Sequence, residues 1–180
     1  MLQLVLPSPI YKKQIWEYRE EFLQNNDSMD GTNGLKNAET FEAWYEKWKN
    51  MLDGRTVKKG LVPSTTFLAV RYSAKDMERD GVEKLVGMVD VRHRLNDSLL
   101  QVGGHIGYSV RKSERRKGYA TEMLHLALEE ARRLGIQKAL ITCDKDNVGS
   151  AKTIQKNGGI LENEVLIDDQ SIIQRYWIVL

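Results

Sequence analysis

Bulky residues recur every three or four positions in two early stretches of the chain. Tyr11, Ile15, Tyr18 and Phe22 mark one face of a helix predicted over about Pro9–Gln24; Phe41, Trp44, Tyr45, Trp48 and Leu52 mark a second, with Thr40 placed to cap it. Trp44 and Trp48 are four apart and share a face, which assigns them to a core. The connection between them, Asn25–Gly34, is crowded with turn formers and long, and loops of that kind often carry function. After Pro63 the period changes. Apolar and β-branched runs predict strands over Thr65–Tyr72, Leu85–Leu95 and about Gln101–Val110, with the charged stretch Lys75–Glu83 read as a turn. The clearest helix follows: Ala120, Met123, Leu124, Ala127, Leu128, Ala131 and Leu134 keep one face apolar, and Gly135 stands where a left-handed cap belongs. A strand Ile136–Cys143, a short helix Gly149–Asn157 closed by Gly158-Gly159, and strands Ile160–Ile167 and Ser171–Leu180 about an Asp168-Asp169 turn complete the pattern. A meander followed by strand, helix, strand, helix, strand implies an α+β (mixed α/β) protein, with a central, mostly antiparallel mixed sheet and helices on both faces.

Composition narrows the classes. The 180 residues suit one domain over 1–180. Lys plus Arg number 27 against 25 Asp plus Glu, a net charge of +2, which argues against a nucleic-acid partner. A content of 41% hydrophobic residues with three prolines excludes a disordered chain. Cys143 is the one cysteine, so neither an intramolecular disulfide nor a multi-thiolate zinc site is available, and no metal is expected. Its predicted strand is buried, which assigns Cys143 to packing. Neither a signal peptide nor a membrane-length apolar run is present, so a cytoplasmic protein without a membrane partner is expected.

The near-neutral total hides one concentration of charge. Between Arg111 and Lys117 five basic residues face one glutamate, where a strand ends and the long helix begins. The first amides of a helix lack intrahelical partners and its dipole is positive there, so this geometry suits a phosphate or pyrophosphate. Gly118 lets backbone approach a ligand closely and Ala120 keeps the entry uncrowded. The turn carries neither the Walker pattern nor the dinucleotide Gly-x-Gly-x-x-Gly. A solvated basic turn capping a helix would look the same, so the surrounding motifs decide.

Arg115-x-x-Gly118-x-Ala120 resembles the [Gln/Arg]-x-x-Gly-x-[Gly/Ala] signature of the GNAT acetyltransferase superfamily, and it lies between a strand and a long helix as in that fold. Asn147-Val148-Gly149-Ser150-Ala151 and then Lys156-Asn157-Gly158 resemble the family's second helix start and its ending, in register with the first motif. The runs His105–Val110 and Asp144–Asn147 are similar to a bacterial branch of predicted acetyltransferases without an assigned substrate.

The resemblance implies acetyl-CoA as cosubstrate and residues 65–180 as its binding core. Arg115, Arg116, Lys117, Gly118, Tyr119 and Ala120, with Thr121, would hold the pyrophosphate. Val110 would pair through its backbone with the pantetheine arm, Tyr108 would line the same strand, and Asn147 and Ser150 would contact the pantetheine or phosphate side. Where many relatives place a glutamate base this chain has His105, whose ordinary pKa of about 6.5 suits a proton acceptor. Asp90 and His93 are the further candidates. Where relatives carry a tyrosine that protonates the departing thiolate, the residue is Ile154, and a hydrocarbon donates no proton. The helical region 1–60 would shape the acceptor side, where Asp27, Asp30, Asp168 and Asp169 offer charge for a cationic amine. The expected activity is direct N-acetylation of a small-molecule or peptide amine, with a homodimer left open. The alternative on the same fold is a non-catalytic acyl-CoA-binding or sensing module.

Overall fold

Strand pairing divides at one place. The computed structural model describes residues 1–168 and 171–180. In it β1 (Leu2–Val5), β2 (Ser64–Arg71), β3 (Lys84–Arg92) and β4 (Ile106–Val110) form one antiparallel sheet in that order, and β5 (Lys138–Asp144), β7 (Ser171–Val179) and β6 (Ile160–Asp168) form another. The α+β class is as expected; the single mixed sheet is two antiparallel sheets that meet where β4 lies beside β5. Of the expected Asp168-Asp169 turn, Asp169 lies outside the described residues.

Helices cover both faces. On one, α1 (Lys12–Gln24) and α2 (Phe41–Met51) pack Ile15, Tyr18, Phe22, Phe41 and Trp44 against Leu68, Val70, Leu85 and Met88. On the other, α4 (Tyr119–Arg133) packs Met123, Leu124, Ala127 and Ala131 against Val89, Val91, Ala139 and Ile141. Covered on both sides, β3 reads as a nearly continuous apolar run, as interior strands do. Trp44 and Trp48 are buried with their indole N–H groups on the carbonyls of Thr32 and Thr66, so the core role read from their spacing holds. Among the described residues no helix is long and apolar enough to cross a membrane.

Three elements differ from the pattern reading. The first residues, taken as part of a helical region, supply β1, where Leu2 is buried and pairs opposite Arg71. The charged stretch after β2 contains a helix, α3 (Ala74–Asp80): the Ser73 hydroxyl accepts from the Asp76 amide, and Gly81 at φ 70° ends it. The strand expected from Gln101 begins at Ile106, because Leu99–Gly103 forms a wide π-type turn. Arg92 Nη1 holds this turn by donating to the carbonyls of Gly103 and Gly104 at 2.8 and 3.0 Å. Arg175 Nη2 donates to Leu100. The last helix, α5 (Val148–Lys156), follows β5 directly.

Candidate active site

The register of β3 and β4 decides which backbone groups are left free. The amide of Arg92 donates to the His105 carbonyl and that of Arg111 to Val86, so the His105 carbonyl and the backbone groups of Gly107 and Ser109 turn toward β3. Ile106, Tyr108 and Val110 turn theirs away. On that side β5 is tied to β4 at one point, where the His105 amide donates to the Leu140 carbonyl at 2.6 Å. Beyond it the strands diverge around a cleft of about 950 Å³, bordered by β4, the end of β5 and the starts of α4 and α5.

One end of the cleft is the basic turn. Arg116 at φ 64° and Gly118 at φ 85° are both left-handed, which curls the backbone into a concave strap of the kind that receives anions. A Cβ on Gly118 would meet nothing within 4 Å, so its surface is open. The α4 ladder is entered at Thr121, whose amide donates to Gly118, leaving the amides of Tyr119 and Ala120 ahead of it. Arg115, Arg116, Gly118, Tyr119, Ala120 and Thr121 all border the cleft. Lys117 does not: its ammonium folds back onto the Ser113 carbonyl and Glu114. Val110 borders the cleft, but its carbonyl accepts Arg115 Nε at 3.0 Å, so its N–H is the group left for a ligand.

Acidic side chains fix this turn. Glu114, 2% exposed, lies 2.6 Å from Lys84 and 2.8 Å from Lys117. Burial pushes its carboxyl up, and the bonds from Lys117 and Lys84 outweigh that and hold it below the ordinary range. Glu114→Ala would leave these partly exposed ammonium groups without their carboxylate; a loss of about 1–3 kcal/mol is expected, read from urea unfolding midpoints. From α1, Glu21 accepts the Ser113 amide and Arg111 Nε, and Arg115 reaches Asp27 at 2.8 Å.

At the α5 wall Asn147 and Ser150 also border the cleft. Asn147 caps α5, accepting the Ser150 amide at 3.0 Å, and the Ser150 hydroxyl meets the Tyr108 hydroxyl at 2.8 Å. Burial pushes the Tyr108 phenol up to about 12, so it stays protonated at neutral pH. Cys143 borders the cleft and is mostly buried, with its thiol pushed up by burial. Ile154 is wholly inside the core.

His105 is not placed as a base. The residue is 7% exposed and stands outside the walls of the cleft, and its ring accepts the Leu140 amide on Nδ1 at 2.9 Å. The neutral ring then carries its proton on Nε2, and its one lone pair is already engaged. Burial, helped by Arg92, lowers its pKa from 6.5 to about 4. His105 staples β4 to β5 through both its backbone and its ring. Asp90, buried on the Thr66 hydroxyl, and His93, on the Thr65 hydroxyl, do not border the cleft either. Among the described residues no group of three or more His, Cys, Asp or Glu is arranged to hold a metal.

A cleft between two splayed strands, with a phosphate-suited turn at one end, is the geometry that the motifs implied. Residues 11–160 match the family model described as Acetyltransferase (GNAT) domain. The chain belongs to the GNAT acetyltransferase family. It is similar to the uncharacterized N-acetyltransferase YjdG of Bacillus subtilis (strain 168), 38% identical over 60 residues that make up 33% of this chain and 36% of YjdG. It is also similar to the chloroplastic GCN5-related N-acetyltransferase 6 of Arabidopsis thaliana, 30% identical across 60% of this chain and 46% of that protein. The chain thus spans about a third to a half of the length of these curated GNAT relatives. The microcin C7 self immunity acetyltransferase MccE, in complex with acetyl-CoA and AMP, shares the fold with a TM-score of 0.66 at 17% identity, covering 99% of this chain and 92% of that one.

Proposed function

We propose that the chain is an acetyl-CoA-dependent N-acetyltransferase that passes acetyl directly to a primary amine of a small molecule or peptide. The observation that supports this most strongly is the free edge of β4, running beside β5 toward the open first turn of α4. When bound, acetyl-CoA supplies an activated acetyl thioester. The strap Arg115–Thr121 would hold the pyrophosphate through the backbone amides left free within it, those of Tyr119 and Ala120 among them, with the Arg116 side chain as added charge. The Val110 N–H would align the pantetheine arm against β4, and the α5 start, Asn147 to Ser150, would close the other wall.

The Tyr108–Ser150 hydroxyl pair takes over the proton-donating role that Ile154 has no means to fill. Both hydroxyls keep their protons at neutral pH, and the pair borders the cleft where β4 and β5 part. Tyr108→Phe is expected to lower kcat about 100-fold, the lower end of general acid–base contributions, with a smaller change in acetyl-CoA affinity. Steady-state release of free CoA checks it.

Proteins of this fold are named for acceptors as different as spermidine and spermine and the N-terminal serine of ribosomal protein L7/L12. A panel that includes polyamines and serine-initiated peptides therefore tests the reading, with CoA release as the signal. Turnover on at least one amine is expected. Saturable acetyl-CoA binding with no turnover would favour a sensing module, and absence of binding would overturn both.

A further inference from the structure

With His105 withdrawn, the cleft still needs a group to receive the acceptor. Besides buried Glu114, the carboxylates on its border among the described residues are Asp27, Asp30, Asp144 and Asp146. Asp27 is engaged by Arg115 at 2.8 Å. Asp144 and Asp146 belong to the β5–α5 turn beside Asn147, on the wall assigned above to acetyl-CoA. Asp30 stands on the α1–α2 loop, directly over the middle of β4, and its carboxylate accepts the Ser28 hydroxyl at 3.1 Å.

The mounting of Asp30 is unusually firm for an exposed loop residue. Its carbonyl accepts Ser109 Oγ at 2.6 Å. The buried Tyr18 hydroxyl in turn donates to the Ser109 carbonyl and meets Ser109 Oγ, both at 2.9 Å. Gly31, at φ 70°, presses so closely on β4 that a Cβ would lie 2.1 Å from the Gly107 oxygen. Met29 and Thr32 are buried on either side, and the Thr32 carbonyl accepts the Trp44 indole at 2.8 Å. Left-handed backbone at Gly31, Asn33 and Gly34 holds the shape. Strain and buried bonds together fix the Asp30 backbone over the strand whose neighbouring residues, Tyr108 and Val110, border the cleft.

We propose that Asp30 receives the acceptor's amine and takes its proton, which rests on the transferase reading above. An alkyl amine is an ammonium near pH 7. The Asp30 carboxylate pairs with it and removes one proton; the freed lone pair forms a C–N bond to the thioester carbonyl carbon, and the C–S bond breaks. The second N–H proton balances the sulfur, through the Tyr108–Ser150 pair. The products are an amide, a thiol and one proton, which Asp30 releases to solvent. The charges around Asp30 do not neutralise it. Arg115 is held by Asp27, and Arg92 on β3 bonds to the carbonyls of Gly103 and Gly104 and leans toward Asp90 at 3.7 Å. Lys36 reaches the Asp27 carbonyl.

The test uses an amine that the panel shows to be acetylated. Asp30→Asn is expected to lower kcat/KM for that amine at least 100-fold and to weaken its calorimetric binding. Acetyl-CoA affinity should stay within twofold, and Asp30→Glu should recover part of the loss. The deficit should shrink toward pH 10, where the amine sheds its own proton. An unchanged kcat/KM in Asp30→Asn, or a deficit constant with pH, overturns the role of Asp30 and leaves the transferase reading standing. A wild-type chain that binds acetyl-CoA and acetylates no amine overturns both.

Discussion

Replacing His105 by alanine is expected to lower folding stability by about 2–4 kcal/mol at pH 7. The Leu140 amide would lose its partner in a buried position, at a cost of about 1–3 kcal/mol. The edge contact of the ring with Trp177, at 6.5 Å between centroids, adds roughly 0.5–1.5 kcal/mol. The pH dependence distinguishes this staple from a catalytic base. The folded ring has its pKa lowered from 6.5 to about 4, so the unfolded chain takes up the proton first as pH falls. Stability attributable to this group is therefore full above pH 6.5 and declines toward pH 4, by about 3 kcal/mol in all. His105→Gln removes that decline. Urea midpoints at pH 7, 5.5 and 4.5 for the wild type and the variant check both statements. Acetyl-CoA affinity is expected to fall in His105→Ala as well, since the point from which the strands diverge is no longer held.

The second large effect is expected at Gly31. An alanine there would carry left-handed backbone at about 1–2 kcal/mol and drive its Cβ into the Gly107 carbonyl and the Tyr108 backbone. Overpacking of this kind adds about 1–3 kcal/mol. Because the contact is with backbone on both sides, no rotamer change relieves it; the loop must lift off β4. Lifting carries Asp30 from its place and frees Ser109 and Tyr18. A stability loss of about 2–5 kcal/mol and at least 100-fold loss of acceptor turnover are expected, with acetyl-CoA binding less affected because the loop meets the basic turn through Asp27 on the Arg115 side chain rather than through the strap amides. Calorimetry beside the CoA-release assay separates the two effects. Equal losses in both would mean that the loop supports the cofactor side as well.

Much of the fold was legible because periodicity is a local property. The stripe from Met123 to Ala131, the aromatic spacing of α2 and the Gly135 stop are each written within one or two turns of helix. The helix α3 has local signals in Ser73, Asp76 and Gly81, but its high charge is equally that of a turn. The strand β1 carries no local signal of that kind: four residues become a strand only because β2 has an unpaired edge to offer. The phosphate-suited turn was readable for the same reason as the long helix, since strand end, basic run and Gly118 are consecutive.

What was not legible depends on contacts across the chain. A histidine in a strand carries no mark of which nitrogen meets Leu140, which lies 35 positions away. Lys117 looked like a phosphate ligand by its neighbours, yet Glu114 draws it off the cleft. Asp30 is one of four acids on the acceptor side, and nothing local separates it from the others; the bond from Ser109 that holds its backbone comes from 79 positions on.

The free edge of β4 and the open first turn of α4 are proposed to form one acetyl-CoA site. Backbone amide spectra of the isotope-labelled chain, recorded through a titration with acetyl-CoA, test it most directly. Saturable shifts concentrated at Val110, at Arg115–Thr121 and at Asn147–Ser150 are expected, with the outer face of α1 unmoved. Shifts that do not saturate, or that saturate while Val110 and Gly118 stay fixed, would contradict it.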